Sequence, residues 1–498
     1  MNTSNTRHRE PEHLPGDEDE VASDQTIVTR LSCLAAWLDA CLDHRDQNDP
    51  MFECGQSALS IIKKRSDDVL RLAHEKIHSW KYADVGTCWR RLYEEASLCK
   101  ASSVIQQEHC RLEHSSNNPR ARKRRKLNTG SEKDSLQRFN TSESNYSTSE
   151  DWLSKVVHVL DMAVMLTGLP GHAALFDEFF GKLEAFAEPV CETKEDTFPV
   201  SIPFMADDGT LIRVKPLNFL EFQDRVERTP EPFVMSGIMD EWPAITRWKS
   251  PRYLLQATLG GRRLVPVEIG RSYTDEDWSQ KIMTFGEYMQ KYLMQPKQEK
   301  TGYLAQHDLF KQIRGLSNDI ITPDLCYTMV PPVQVPSTVI VPLLDEPIQN
   351  AWLGPAGTTS PLHTDPYHNI LCQVVGSKYV RLYAPSETPK LYARGVDESG
   401  INMENTSSVD ISLAKKLYGA PALVNRLSSD ELRTEPKSWK VDDLSQARAN
   451  FESRFPLFSE AKFVEGILGP GQSLYIPVGW WHYIESLSTS FSVSFWWN

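Results

Sequence analysis

The sequence predicts an all-α N-terminal domain followed by a mainly-β domain of the sandwich or barrel class. Three observations carry this expectation. From about 26 to 195, apolar residues recur at helical spacing. From about 196 onward, short runs rich in β-branched and aromatic residues alternate with Gly, Pro, Asp and Asn turns. A length of 498 residues, with 40% hydrophobic and 24% charged, suits two or more soluble domains with sizeable cores.

Residues 1–25 are polar and acidic, and read as a disordered tail. The helical domain then spans 26–195. Ile27, Leu31, Leu34, Leu38 and Leu42 share one face near 3.6 residues per turn. Comparable stripes are Leu59 with Ile62, then Val69, Leu72 and Ile77, then Trp89, Leu92 and Leu98. Further helices are expected at about 151–168 (Trp152, Val156, Val157, Leu160, Val164) and 173–187. No fixed-period repeat is present, and the expected role of this domain is docking or structural.

Residues 114–149 interrupt the helical pattern, without periodicity, and read as a disordered insertion. Within it Arg120, Arg122, Lys123, Arg124, Arg125 and Lys126 place six basic residues in seven positions, on a chain of net charge −13. Such a run fits the acidic groove of a nuclear import receptor, and predicts a nuclear protein, with some cytoplasmic presence. The acidic balance of the whole argues against direct nucleic-acid binding.

The β-rich domain spans 196–498. Its clearest strands are Phe233 to Met235, Leu264 to Glu268, Ile370 to Val375, Tyr379 to Tyr383, Ser473 to Ile476 and Ser490 to Trp497. A long insertion at 384–465 separates two of them and contains helices near 411–418 and 442–452. No apolar run approaches the roughly 20 residues that span a bilayer, and no secretory signal is expected. The nine cysteines include no Cys-X-X-Cys pair, which argues against a disulfide framework or zinc finger and for a reducing compartment.

Two histidines stand in distinctive surroundings. His363 belongs to Ser360-Pro361-Leu362-His363-Thr364-Asp365, and His482 follows Gly479-Trp480-Trp481 at the head of the last strands. On an extended chain His363 and Asp365 project to the same side and can grip one ion. Two imidazoles and a carboxylate form the facial triad that holds non-haem Fe(II) and leaves positions open. A lone His-X-Asp is usually a surface turn; the later His at a Trp-rich strand start strengthens the signal. Lys378 begins the strand after the Gly376-Ser377 turn, in phase with Val380 and Leu382. It is either an exposed hairpin residue or an inward ammonium that needs a buried anion.

His363-Thr364-Asp365, Asn369, Lys378 and His482 closely resemble the JmjC branch of Fe(II)- and 2-oxoglutarate-dependent oxygenases. The resemblance covers about 200–498 and narrows to the small subfamily named for jumonji domain-containing protein five. Its supporting runs are Val267 to Trp278, Gly302 to His307, Trp352 to Pro355 and Ser490 to Trp497. It implies a double-stranded β-helix, the cupin-like jelly roll, with Fe(II), 2-oxoglutarate and O2 as cofactor and co-substrates. His363, Asp365 and His482 would ligate the iron. Lys378 and Tyr303 would bind the distal carboxylate of 2-oxoglutarate, with Ser360 or Asn369 assisting, Gln306 orienting Tyr303, and Trp496 walling the pocket beside Ser492 and Ser494. His307 and His368 read as structural or outer partners rather than ligands. Glu268, Trp278 and Trp352 would face a peptide substrate.

A carboxylate beside an indole face suits a guanidinium, so the expected reaction is hydroxylation of an arginyl residue in a protein. The runner-up is a methyl-lysine demethylase acting as a chromatin regulator. A JmjC or cupin binding module without turnover is a further alternative, against which the intact triad and Lys378 stand. Proteolysis lacks a separate nucleophile, base and acid. The 384–465 connection is longer than the subfamily leads one to expect and is expected to reshape the rim of the site. The chain stops at Asn498, just past the last strand, which makes a monomer the default expectation.

Overall fold

The computed structural model describes residues 17–43, 46, 48–116, 151–187, 197–198, 210–270, 278–295, 300–330, 341–396, 400, 402–418 and 441–498. The chain divides into two compact units, Met1–Ala187 and Glu188–Asn498.

The first unit is helical: α1 (Asp17–Asp43), α2 (Gln56–Ile61), α3 (Ser66–His78), α4 (Thr87–Ser116), α5 (Trp152–Thr167) and α6 (Ala173–Leu183). Helix α4 is the hub, packed by α1, α3 and α5. The predicted stripes are the buried faces: Leu31, Leu34, Leu38, Leu42, Ile62, Val69, Ile77, Leu92 and Leu160 are all buried, whereas Ile27 and Leu72 sit at the margin. Asp151 caps α5 by accepting from Ser154 N–H, and Gly168 ends that helix in the left-handed conformation. Arg91 is buried against Glu94, Asp49 and His172. That cluster ties the turn before α2 and the turn before α6 to α4. One expectation needs adjustment. Helix α1 begins at Asp17, so residues 17–25 of the expected tail are helical; the acidic run Asp17 to Glu20 suits a helix start. The rest of the tail and the basic run 120–126 lie outside the described residues.

The second unit is built from thirteen strands among the described residues. A nine-stranded sheet has the order β1 (Ile212–Arg213), β2 (Phe233–Ser236), β11 (Gln472–Ile476), β8 (His368–Val375), β13 (Ser490–Trp497), β6 (Ile348–Gly354), β5 (Gly302–His307), β3 (Leu264–Ile269), β4 (Ser279–Thr284). A four-stranded sheet has the order β10 (Phe463–Leu468), β9 (Lys378–Tyr383), β12 (Trp481–Ser486), β7 (Thr359–His363). The two face each other as a double-stranded β-helix, and strand alternation sorts the side chains.

Inward residues Leu371, Val380, Leu382, Leu474 and Ile476 pack together, with Trp352, Trp480 and Ile484 against them. Outward residues of the large sheet, including Ala351, Leu353, Phe491, Val493 and Phe495, join the main core under Trp248, Phe285 and Tyr288. Outward residues of the small sheet, Tyr379, Tyr383, Trp481 and Tyr483, are covered by α7 (Ile411–Tyr418) and α8 (Val441–Arg454). The predicted helices of the long connection are therefore present, and they cap the outer face of that sheet. The stretch 419–440 lies outside the described residues. Among the described residues, no helix is long and apolar enough to cross a membrane.

Candidate metal centre and co-substrate pocket

The small sheet brings three potential ligands together. His363 ends β7, Asp365 follows two residues later, and His482 is the second residue of β12, paired directly with His363 in the ladder. Their ligand atoms all lie within 4.8 Å of one another. His363 Nε2 is 3.7 Å from Asp365 Oδ1, and His482 Nε2 is 3.4 Å from Asp365 Oδ2.

Each imidazole is oriented by its other nitrogen. His363 Nδ1 donates to Pro361 O at 2.7 Å, and His482 Nδ1 donates to Trp480 O at 3.0 Å. Both Nε2 atoms therefore turn to one point, an arrangement that metal sites use to set the tautomer.

The electrostatics agree with the geometry. Burial, reinforced by the neighbouring His482, lowers His363 to about 4. Burial alone would raise the Asp365 carboxyl, but His482 and His363 more than offset it and hold it below its ordinary value. Burial would likewise lower His482, yet its contact with Asp365 raises it. Two neutral-capable imidazoles and one ionised carboxylate are what a divalent ion of intermediate hardness requires, with too few donors to close the coordination sphere.

Deeper in the barrel lies a buried cation. Lys378 is 1% exposed and burial pushes its ammonium down to about 7. Its Nζ donates to Tyr303 Oη at 3.3 Å, and no carboxylate among the described residues pairs with it. Gly376, at φ +72°, makes the β8–β9 hairpin that points this side chain inward; a Cβ there would collide with Thr489 O. Tyr303 is buried, hydrogen-bonded to Ser360, and its phenol is pushed well above the ordinary range by burial. Its ring lies on Gly354, where a Cβ would sit 2.7 Å from Tyr303 Cδ2.

The large sheet, which also carries Tyr303, holds further unmet polar atoms facing Lys378. Asn369 Oδ1, Trp496 Nε1 and Asn350 Nδ2 are buried and have no hydrogen-bond partner among the described residues. Asn369 and Trp496 are direct cross-strand neighbours, and Asn350 pairs with Ser494 on the same face. Trp352 Nε1 donates to Ser494 Oγ at 2.9 Å, and its ring is 6.1 Å from that of Tyr303. A buried ammonium and a cluster of orphaned amide and indole groups are costly unless a ligand meets them. Fe(II) at the His-Asp-His group, with the dianion 2-oxoglutarate between it and Lys378, fits these residues.

Glu268 pairs directly with Tyr303 in the β3–β5 ladder and so faces the same side. Trp278 Nε1 donates to its Oε2 at 3.4 Å. Burial raises this carboxyl, and Trp278 and Gln280 partly offset the rise.

One sequence-derived site residue is placed elsewhere. Gln306 is exposed, at φ +47° in the β5 bulge. It does not orient Tyr303; Ser360 and Lys378 are the groups that touch the phenol. An odd separation on a strand already puts residues 303 and 306 on opposite faces, and the bulge between Leu304 and His307 adds to the displacement. His307 contacts Gln312 Oε1 at 2.6 Å, and His368 contacts Tyr475 Oη at 2.9 Å in the outer core. Neither joins the metal group. Asn350 was missed from sequence, since a single Asn in a strand gives no signal until its register is known.

A profile of the cupin-like domain family matches residues 219–498. The chain is 38% identical over 308 residues to "Lysine-specific demethylase 8" of Xenopus tropicalis, covering 62% of this chain and 57% of that protein. It therefore spans little more than half of the frog relative. It is 32% identical to the protein of the same name from Danio rerio, over 97% of both chains. It is 23% identical to the human "Bifunctional peptidase and (3S)-lysyl hydroxylase JMJD7", covering 61% of this chain and 86% of that one.

Proposed function

Because the chain belongs to the cupin-like JmjC family, we propose that it is a 2-oxoglutarate-dependent dioxygenase that hydroxylates arginyl residues of protein substrates. The observation that carries the oxygenase reading is Lys378, a buried ammonium with no counter-ion among the described residues, lying beyond a His-Asp-His group. In this reading His363, Asp365 and His482 hold Fe(II), which supplies O2 activation coupled to decarboxylation of 2-oxoglutarate. Lys378 and Tyr303, with Ser360 behind the phenol, grip the far carboxylate by charge-assisted hydrogen bonds. Asn369, Trp496 and Asn350 line the other end of the co-substrate. The inner residues Leu371, Leu382 and Ile476 keep water away from the reacting atoms.

The substrate reading rests on Glu268 and Trp278, with Trp352 beside the Tyr303 ring. A half-buried carboxylate steadied by an indole N–H offers a guanidinium both a bidentate acceptor and a ring to stack on. Demethylation of methyl-lysine is the second reading, favoured by the names of the frog and zebrafish relatives. Succinate release separates the two. The Fe(II)-loaded chain should turn over 2-oxoglutarate faster with Arg peptides, giving a product heavier by one oxygen. Stimulation by methyl-lysine peptides alone, with formaldehyde release, would reverse the assignment; metal binding without turnover on any peptide would favour a binding module.

Nuclear residence is part of the same proposal and rests on Arg120, Arg122, Lys123, Arg124, Arg125 and Lys126. A fluorescent fusion in which Arg124 and Arg125 are changed to Ala should lose nuclear accumulation. The working oligomeric state is a monomer, which sedimentation of the full chain tests.

A further inference from the structure

The long connection after β9 also reaches the metal ligands. Residues 392–396 and 402–408 run antiparallel to each other: bridges join Ala393 to Ser407 and Val396 to Asn402. Arg394 N–H donates to Thr406 O at 2.7 Å, and Ser408 N–H donates to Tyr392 O at 2.8 Å. The other side of this pair lies along β7. Ser407 N–H donates to Leu362 O at 2.8 Å, Thr364 N–H donates to Asn405 O at 2.8 Å, and Thr406 bridges His363. The side chain of Asn405 completes the contact, its Nδ2 donating to Thr364 O at 3.3 Å. Asn405 thus holds both main-chain groups of the one residue that separates His363 from Asp365.

In the four-stranded sheet β7 is the terminal strand. A terminal strand carries a row of unpaired main-chain groups and frays more readily than an inner one. The two ligands at its end must nevertheless be held to within about 0.5 Å of a productive geometry. The paired segments convert that edge into an interior position. His363 is bracketed by His482 on one side and Thr406 on the other. Asp365 is steadied beyond the strand end, where its main-chain O accepts from Gly479 N–H at 3.3 Å.

We propose that Asn405 is a positioning residue for the metal centre, and that the paired segments 392–396 and 402–408 act as a clamp setting the spacing of His363 and Asp365. This rests on the reading of the His-Asp-His group as a metal site. Asn405 touches neither metal nor substrate. It acts through the Thr364 backbone, in the way that outer partners of metal ligands tune affinity about 10–100-fold. Its side chain is exposed, so its replacement spares the core.

The test compares the full-length wild type with Asn405→Ala and the isosteric Asn405→Asp, which puts a carboxylate oxygen where the amide donor was. Anaerobic Co(II) titration followed by visible absorption reports both affinity and coordination geometry. Hydrogen exchange of the peptide containing residues 361–366 reports the clamp directly. The proposal expects Co(II) affinity to fall about tenfold in both variants, with altered band shape and faster exchange, while the thermal midpoint stays within about 2 °C, the shift of less than 1 kcal/mol in a unit of this size. Variants that match the wild type in affinity, bands and exchange would overturn the positioning role alone. A wild type that takes up no Co(II) would overturn the metal reading and this proposal with it.

Discussion

Replacing Lys378 with Met should make the ligand-free protein more stable and the enzyme unable to hold its co-substrate. The side-chain stem is kept and only the ammonium is lost. Burial takes that ammonium from its ordinary 10.5 to about 7. A shift of that size corresponds to about 5 kcal/mol between the two protonation states, at about 1.4 kcal/mol per unit. The sign follows from proton counting. Between pH 7 and 10.5 the unfolded chain binds more protons at Lys378 than the folded one, so ligand-free stability rises with pH across that window. Below pH 7 the full destabilisation is present; above 10.5 it vanishes.

At pH 7.5 most of it remains, and the Lys378→Met variant should be more stable by up to about 4 kcal/mol, a rise of roughly 5–10 °C in thermal midpoint for a unit of this size. The gain should shrink steadily as the pH approaches 10. Affinity for 2-oxoglutarate, followed by the absorbance of the anaerobic Fe(II) complex, should fall at least about 100-fold as a charge-assisted contact to a dianion is lost. A Lys378→Met protein that melts lower than wild type at pH 7.5, or that binds 2-oxoglutarate normally, would refute the placement of an unpaired ammonium in the pocket.

Other outcomes follow from the same geometry. Changing Asn350 to Leu removes a donor without a partner among the described residues. It should be neutral or stabilising by about 1 kcal/mol in urea melts, yet weaken 2-oxoglutarate binding; a loss above about 2 kcal/mol would mark the amide as structural. Changing Gly354 to Ala forces a Cβ to within 2.7 Å of the Tyr303 ring. It should cost about 1–3 kcal/mol by overpacking and raise the KM for 2-oxoglutarate as the phenol is displaced. Glu465→Gln leaves Arg381 buried without the carboxylate that its Nη2 meets at 2.8 Å. The expected cost is about 3–5 kcal/mol in denaturant unfolding, because the remaining charge is uncompensated.

What could be read directly from the chain were the features governed by local period and residue chemistry. Helical stripes such as Leu31 to Leu42 marked their buried faces, and the strand phase put Lys378 on one face with Val380 and Leu382 while leaving open whether that ammonium was exposed or buried. The His363-Thr364-Asp365 spacing placed two ligands within reach of one ion, since both lie on a few residues of one chain segment. The helices of the long connection were also legible, from Ile411, Ala414 and Leu417 on one face.

Only the tertiary structure decided what depends on register between distant strands. A bulge in β5 sets His307 opposite Ala351, which no local pattern reveals. Asn350 became part of the pocket wall because β6 pairs with β13 in one register; a shift of one residue would have sent it into the outer core with Ala351. The meeting of His482 with His363 is likewise set by a ladder between residues far apart in sequence. The placement of 405–407 along β7 is the clearest case. Its main-chain hydrogen bonds are nearly blind to side-chain identity, so the sequence that makes them carries almost no sign of them. The residues' chemistry names what a metal site contains, while long-range backbone pairing decides how firmly and how closely its parts are held.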